Sequence, residues 1–165
     1  MKNLTWLFLA LFCVATFAHD KITFNPKTSK GKLHEYSSYI NVKDKKLSIN
    51  DIIASKNLHF DPIKSDNLSL GFTSSNYWVS FSLENSTSNN NTYYLETARP
   101  VTDLANLYVV TKDSIIKYQS GDQIPFNQRQ VAHRSTVFKL QLEPNTVKDF
   151  YLELSSFTQY FVLFL

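Results

Sequence analysis

Four side chains of this 165-residue sequence have the chemistry expected of a ligand-binding site: Trp78, Arg99, His133 and Arg134. An exposed indole can stack on the apolar face of a ligand, while guanidinium and imidazole groups make directional hydrogen bonds to its polar edge. Small-ligand sites combine aromatic walls with a few well-placed polar groups. These residues favour binding of a sugar or another small polar ligand.

Each of the four residues also has a purely structural interpretation. Trp78 could be buried beneath a covering loop, with its N–H bonded to a carbonyl. Arg99 could pair with Asp103, and Arg134 with a surface carboxylate, in exposed ion pairs worth about 0–1 kcal/mol. His133 could make a structural hydrogen bond. The sequence leaves both interpretations open.

The sequence lacks the residue spacings that are typical of enzymes. No serine lies in a GxSxG turn, and there is no glycine-rich phosphate loop. Four carboxylates could converge as an acid/base pair, but any all-β domain of this size offers as much: Glu35, Glu84, Glu96 and Asp103. The four histidines are far apart and form no i,i+4 pair: His19, His34, His59 and His133. We therefore expect no catalytic residue, no metal site and no cofactor.

The charge pattern argues against nucleic-acid binding. The net charge is +3, and charged residues make up 19% of the chain. The densest lysine clusters, at residues 27–32 and 43–46, are interrupted by Ser, Gly and Asp. Nucleic-acid binding needs clustered Lys and Arg to displace counterions. We expect no nucleic-acid partner.

The first 18 residues have the pattern of a signal peptide. Lys2 precedes an apolar run at residues 4–17, and Thr16 and Ala18 have the spacing of a cleavage site. A membrane anchor is the alternative, but the run is shorter than the roughly 20 residues that span a bilayer. Cleavage after Ala18 would remove Cys13, the only cysteine, so we expect an exported domain without disulfides.

The rest of the chain is predicted as a mobile lead-in at residues 19–32 and one domain at residues 33–165. A first strand is expected in "LHEYSSYINV". One helix is expected in "LSINDIIASKNLHF", capped by Ser48 or Asn50, with Asp51 at its positive end and Ile52 and Ile53 facing inward.

Strand patterns follow from residue 67 to the end. In "NYWVSFSLE", Tyr77, Val79, Phe81 and Leu83 alternate with polar residues, an alternation that places Trp78 on the wet face of its strand. Further strands are predicted in "TYYLETA", "LANLYVVT", "SIIKYQSG", "STVFKLQL", "VKDFYLEL" and a final buried "YFVLFL"; the run "NSTSNNN" is interpreted as a hairpin loop. This pattern predicts an all-β fold, an antiparallel sandwich or barrel with one short helix.

The order of the motifs carries a family resemblance. The chain runs "LGFTSSNYWVSFSLENST", "YYLETARPVTDLANLYVV", "YQSGDQIPFNQRQVAHRSTVFKLQL" and "DFYLELSS". This order, over residues 33–165, resembles 7TMR-DISM extracellular domain 2, a periplasmic sensor domain of bacterial seven-helix receptors. The matching positions are Gly71, Trp78, Phe81, Asn85, Asp103, Tyr108, Gly121, Asp122, Pro125, Phe126, His133 and Arg134.

The resemblance implies a jelly-roll sandwich similar to carbohydrate-binding modules. It also implies a periplasmic location outside the inner membrane, a carbohydrate-like or other small polar ligand, and attachment to a membrane signalling module. The chain departs from the family pattern at Ser80, where an arginine is frequent, and it ends at "QYFVLFL", where membrane helices are expected. The sequence leaves two interpretations open: the chain is a fragment of a longer receptor, or it is a stand-alone relative. The alternative function is a secreted structural or adhesive β-sandwich that binds a protein partner.

Overall fold

The computed structural model describes residues 22–65, 68–72, 74–97, 102–155 and 160–163. The fold is all-β with one α-helix in the described part. In chain order the elements are β1 (Ser38–Lys43), α1 (Ile49–Ala54), β2 (Asp61–Pro62), β3 (Leu68–Phe72), β4 (Asn76–Asn85), β5 (Asn91–Glu96), β6 (Leu104–Val110), β7 (Ile115–Ser120), β8 (Val137–Leu142), β9 (Thr146–Ser155) and β10 (Tyr160–Leu163).

The strands form one large sheet and two pairs. The large sheet has six strands in the order β2-β1-β4-β9-β6-β7, while β5 pairs with β8 and β3 pairs with β10. All of these pairings are antiparallel. The prediction of an antiparallel all-β fold with one short helix is confirmed.

The main core lies between the six-stranded sheet and the β5–β8 pair. Alternate residues of β4, β6 and β9 supply one wall, and the rings of Phe81 and Phe150 stack there at 5.1 Å. The opposite wall comes from β5 and β8: Leu95, Phe138, Leu140 and Leu142. Two β layers therefore enclose one apolar core, as in a sandwich. The jelly-roll connectivity stays a prediction.

The other face of the six-stranded sheet is also covered in part. We call residues 47–60 the α1 segment, because they comprise α1 and its flanking turns. Val42, Ile52 and Trp78 form a second buried cluster, against which Leu47 and Leu58 of the α1 segment pack. Trp78 has an exposure of 0%. The expectation that its indole faces water is wrong, because the α1 segment covers this end of the sheet.

The α1 helix begins as the sequence predicts. Ser48 is its N-cap and accepts a hydrogen bond from the Asp51 N–H, while the Asp51 carboxylate accepts from the Ser48 N–H. This reciprocal arrangement is a capping box. Ile52 faces the second cluster, but Ile53 is 43% exposed. The inward placement of Ile53 is therefore wrong, since consecutive helical residues point about 100° apart.

The segment predicted as a lead-in is described from residue 22. Phe24 forms a parallel bridge with Leu83, and its N–H donates to the Ser82 carbonyl at 2.9 Å. The predicted first strand begins later than expected, because Leu33–Tyr36 form a 3₁₀ turn and β1 starts at Ser38. A short stretch of the lead-in thus lies beside the part of β4 that extends beyond the pairing with β1.

Two connections cross between the layers: the asparagine-rich loop between β4 and β5, and the turn at residues 143–145 between β8 and β9. β4 pairs with β9 and β5 pairs with β8, so the asparagine-rich loop after Asn85 connects the two layers. The interpretation of this loop as a hairpin is wrong. Asn85 fixes the loop: its Nδ2 donates to the Asn89 and Glu143 carbonyls, each at 2.8 Å, and its Oδ1 accepts from Thr87 and Asn91.

Candidate functional site

The outer face of the six-stranded sheet presents two rows of neighbouring residues. We call them the indole row (Ile40, Trp78, Glu153, Asn106 and Gln119) and the tyrosine row (Ser38, Ser80, Tyr151, Tyr108 and Lys117). Each row crosses β1, β4, β9, β6 and β7 in turn. Because strand side chains alternate between faces, residues paired in this way share one surface.

A carboxylate organises the middle of this surface. One oxygen of Glu153, Oε2, accepts hydrogen bonds from Asn106 Nδ2 at 2.8 Å and from the Tyr108 hydroxyl at 3.1 Å. Gln119 Nε2 donates in turn to Asn106 Oδ1 at 2.9 Å. Burial raises the pKa of Tyr108, and the negative charge of Glu153 raises it further. The phenol therefore stays protonated and donates to the carboxylate.

Trp78 lies beneath the α1 segment and packs against Tyr108 of this polar network. Its ring stacks on Tyr108 with the centroids 5.4 Å apart and the planes inclined by 23°. Its Nε1 is buried and has no hydrogen-bond partner among the described residues. The expected bond from this N–H to a carbonyl is thus not formed. A buried N–H without a partner costs about 1–3 kcal/mol, so packing must offset that penalty.

A cleft opens where the tyrosine row meets the α1 segment. It has a volume of about 400 Å³, and we call it the tyrosine cleft. Its sheet side is formed by Ser38, Ser80 and Tyr151, and the α1 segment supplies the opposite side: Ile52, Ser55, Leu58, His59 and Phe60. Aromatic rings and hydroxyl groups thus line the same space. Such a lining can contact both the apolar face and the hydroxyl edge of a small ligand.

Two of the predicted site residues, His133 and Arg134, lie away from the outer face of the six-stranded sheet. His133 and Arg134 are exposed residues of the loop that precedes β8. The His133 Nδ1 accepts a hydrogen bond from the Ser135 N–H at 3.2 Å, which is a local structural role. No hydrogen bond or ring contact joins either residue to Trp78 within the described part of the chain. Arg99 lies outside the described residues.

Arg129, which the sequence analysis did not single out, organises the same loop. Its Nε donates to the Ile124 carbonyl at 2.7 Å and its Nη1 donates to the His133 carbonyl at 2.9 Å. The guanidinium also lies 4.3 Å from the centre of the Phe126 ring. Arg129 is 9% exposed, so its charge is held inside the loop that it braces. The "PF" and "HR" motifs therefore supply contacts to the guanidinium of Arg129, which has a structural role.

Gly121 explains the "GD" motif in the same loop. It has φ +110°, and a Cβ there would lie 2.7 Å from the carbonyl oxygens of Thr102 and Asp103. The N–H of Asp122 donates to the Thr102 carbonyl at 2.8 Å. Only glycine permits this approach without strain, so the motif locks the end of β7 against the start of β6.

The predicted site consisted of Trp78 and three residues with cationic or imidazole side chains and did not include the outer-face tyrosines, Tyr108 and Tyr151. A signal was present: Tyr108 and Tyr151 are large aromatic residues on the polar positions of β6 and β9, as Trp78 is on β4. Three aromatic residues on the polar faces of different strands could have indicated a shared aromatic surface. Their adjacency depends on the strand order, which the sequence does not give.

The described part of the chain shows neither a membrane-crossing helix nor a metal cluster. None of its helices combines the length and apolar character needed to cross a bilayer. Its His, Cys, Asp and Glu side chains form no group of three or more that could hold a metal ion.

Comparison with known proteins identifies the family. No curated protein matches the chain. A family model described as 7TMR-DISM extracellular 2 matches residues 34–163, which include every strand of the fold. The match confirms the resemblance seen in the order of motifs. The chain belongs to the 7TMR-DISM extracellular 2 family, a family of extracellular sensor domains of bacterial membrane receptors.

Proposed function

We propose that this chain is a periplasmic, non-catalytic sensor domain that binds a neutral, hydroxyl-rich small molecule of the carbohydrate class in the tyrosine cleft. Family membership supports a receptor domain on the outer side of the membrane. The observation that carries the ligand class is the lining of the cleft, which combines two aromatic rings with three serine hydroxyls. An export signal at residues 1–18 is part of the proposal.

The geometry of the cleft suits a single sugar ring or a short oligosaccharide. Its volume of about 400 Å³ lies within the range of roughly 300–1,000 Å³ that is typical of small-ligand sites. The Tyr151 and Phe60 rings offer flat apolar contact, and Ser38, Ser55 and Ser80 can each donate and accept. These groups match the alternation of C–H faces and hydroxyl edges on a pyranose.

The residue at position 80 favours a neutral ligand. Ser80 is 9% exposed and lines the cleft at the position where the family resemblance leads us to expect a frequent arginine. A hydroxyl in place of a guanidinium leaves more space and removes a positive charge that would select anionic ligands. We expect this chain to differ from arginine-containing relatives in the charge of its ligand.

In a complete receptor, binding would act by a population shift. A ligand in the tyrosine cleft contacts both the sheet and the α1 segment, since both line it. It therefore stabilises the arrangement in which the two are closed together. Attached membrane helices can respond to that shift only as far as the ligand binds the two arrangements with different affinities.

The test is a screen of neutral mono- and oligosaccharides, followed by titration calorimetry on the purified protein. We expect Tyr151→Ala to weaken binding of a captured sugar by about 3–10-fold, the range of one aromatic stacking contact. Tyr94→Ala is the matched control, because Tyr94 is a 64% exposed tyrosine on β5 in the other layer. Equal affinity of the Tyr151 and Tyr94 variants, or no neutral sugar bound, would refute the proposal.

A second candidate function has one observation in its favour. The edge strand β7 exposes Ile115 and Ile116, at 42% and 45%, and Ile53 of α1 lies across a shared groove from Ile115. Exposed apolar side chains on a sheet edge favour contact with a protein partner, as in an adhesive sandwich. Ile115→Lys would abolish such contact and leave sugar binding unchanged.

A further inference from the structure

A second cleft also borders the α1 segment and is larger than the tyrosine cleft. It has a volume of about 540 Å³ and lies between β1 and the α1 segment; we call it the lysine cleft. Val42, Leu47 and Leu58 give it an apolar wall, while Asn41, Lys43 and Lys45 stand at its sheet side. The two lysines distinguish this cleft from the tyrosine cleft, whose lining contains neither Lys nor Arg.

The two lysines have no acidic partner in the described part of the chain. The ion pairs of His59 with Asp61 and of Lys148 with Glu143 involve neither lysine. Asp51 also lines the cleft, but its carboxylate is held by the N–H and hydroxyl of Ser48 at 2.8 and 2.7 Å. Asp51 keeps its charge, but two lysines against one carboxylate give the lining a net positive charge, and an anion is the complementary occupant.

The backbone holds Lys43 in an uncommon conformation. Lys43 has φ +57°, a region that non-glycine residues rarely occupy, and the pairing of β1 with β4 is irregular between Asn41 and Lys43. The Asn41 Oδ1 supports this bulge by accepting from the Lys43 N–H at 2.7 Å. Bulges of this kind re-aim side chains and are frequent beside functional sites.

We propose that the lysine cleft binds a free monocarboxylate with an apolar chain. The carboxylate pairs with Lys43 and Lys45, and the chain packs on the wall of Val42, Leu47 and Leu58. This site differs from the sugar site in its sheet-side lining, although Ser55 and Leu58 line both clefts. Because the same wall packs against Trp78, an occupant there also contacts the second cluster.

A homologous series of fatty acids tests the proposal. The purified protein is titrated with acetate, butyrate, hexanoate and octanoate by calorimetry. Each added CH₂ group is expected to tighten binding about fourfold while it still reaches the apolar wall, as expected for transfer of a buried methylene. Octanoate affinity is expected to fall as ionic strength rises, because the lysines are exposed to solvent. Octanol, which has the chain without the charge, should bind more weakly than octanoate.

Lysine-to-glutamine variants test the contribution of the lysine charges to octanoate binding. Lys43→Gln with Lys45→Gln is expected to weaken octanoate binding about tenfold, since hydrogen bonds to charged groups are lost. Lys46→Gln is the matched control, because Lys46 is an adjacent exposed lysine that does not line the cleft. No chain-length dependence, or equal loss in the Lys46 variant, would overturn the proposal. Octanoate binding that survives Tyr151→Ala distinguishes this site from the sugar site.

Discussion

The environment of Trp78 shows what a strand pattern can predict about a single residue. The alternation in β4 correctly assigned Tyr77, Val79, Phe81 and Leu83 to the main core. It also correctly placed Trp78 on the opposite face. It did not predict what lies over that face, because the cover comes from the α1 segment, which is about 20–30 residues earlier in the chain. Period-two alternation reports a face and carries no information on long-range contacts.

Substitutions at Trp78 separate its packing from the cost of its buried N–H. Trp78→Ala removes the ring between Val42, Ile52 and Tyr108, and we expect it to cost about 3–5 kcal/mol of unfolding free energy. Trp78→Phe keeps a ring against Tyr108 and removes the unpartnered N–H, whose burial destabilises the fold by about 1–3 kcal/mol. It should therefore cost much less. Denaturant unfolding measures both, and equal losses would show that the N–H has a partner in solution.

At the scale of elements, local signals were reliable and pairing was not. The cap of α1 was predictable because Ser48 and Asp51 are three residues apart and bond to each other. The turn between β6 and β7 is a true hairpin, as its spacing suggests. The loop after Asn85 has similar composition and length, yet it crosses between layers. Turn chemistry reverses a chain but does not choose the partner strand.

The same cap makes the α1 segment sensitive to acid. Hydrogen bonds from Ser48 lower the pKa of Asp51 below its ordinary value of 3.8. A carboxyl group whose pKa is lower in the folded than in the unfolded state stabilises the fold at pH values above the unfolded-state pKa. That stabilisation is lost as the pH falls through the folded-state pKa. We expect the amide protons of α1, such as that of Ile52, to exchange faster below about pH 3.8.

Asp51→Asn is the control for this acid sensitivity. The side-chain amide retains an oxygen that can accept from the Ser48 N–H, but it does not titrate. The pKa of Glu143 is also lowered, through its hydrogen bond with Lys148, so acid weakens the crossover near β9 as well. Exchange in α1 that stays pH-dependent in the Asn variant would show that Asp51 is not the responsible group.

At the scale of the whole molecule, the sequence predicted the architecture better than the site. The antiparallel fold and the family followed from strand patterns and from the order of motifs. The structure assigns local structural roles to several motif residues, such as Gly121 in its turn and Asn85 in its crossover. The clefts lie between elements that are distant in sequence. Their linings depend on how α1 packs on the sheet, and no local pattern encodes that packing.

The junction of the two layers gives the last prediction. Asn85 is 1% exposed and bonds both crossovers: its Nδ2 donates to the Asn89 carbonyl of one loop and to the Leu142 and Glu143 carbonyls of the other. Asn85→Ala leaves these carbonyls, including the buried one of Leu142, without their donor, so we expect a loss of about 2–4 kcal/mol in unfolding free energy. Asn90→Ala is the matched control. Asn90 is exposed in the same loop, and its loss should stay within about 0.5 kcal/mol. Similar unfolding midpoints for the two variants would show that the layers are held together by the apolar core alone.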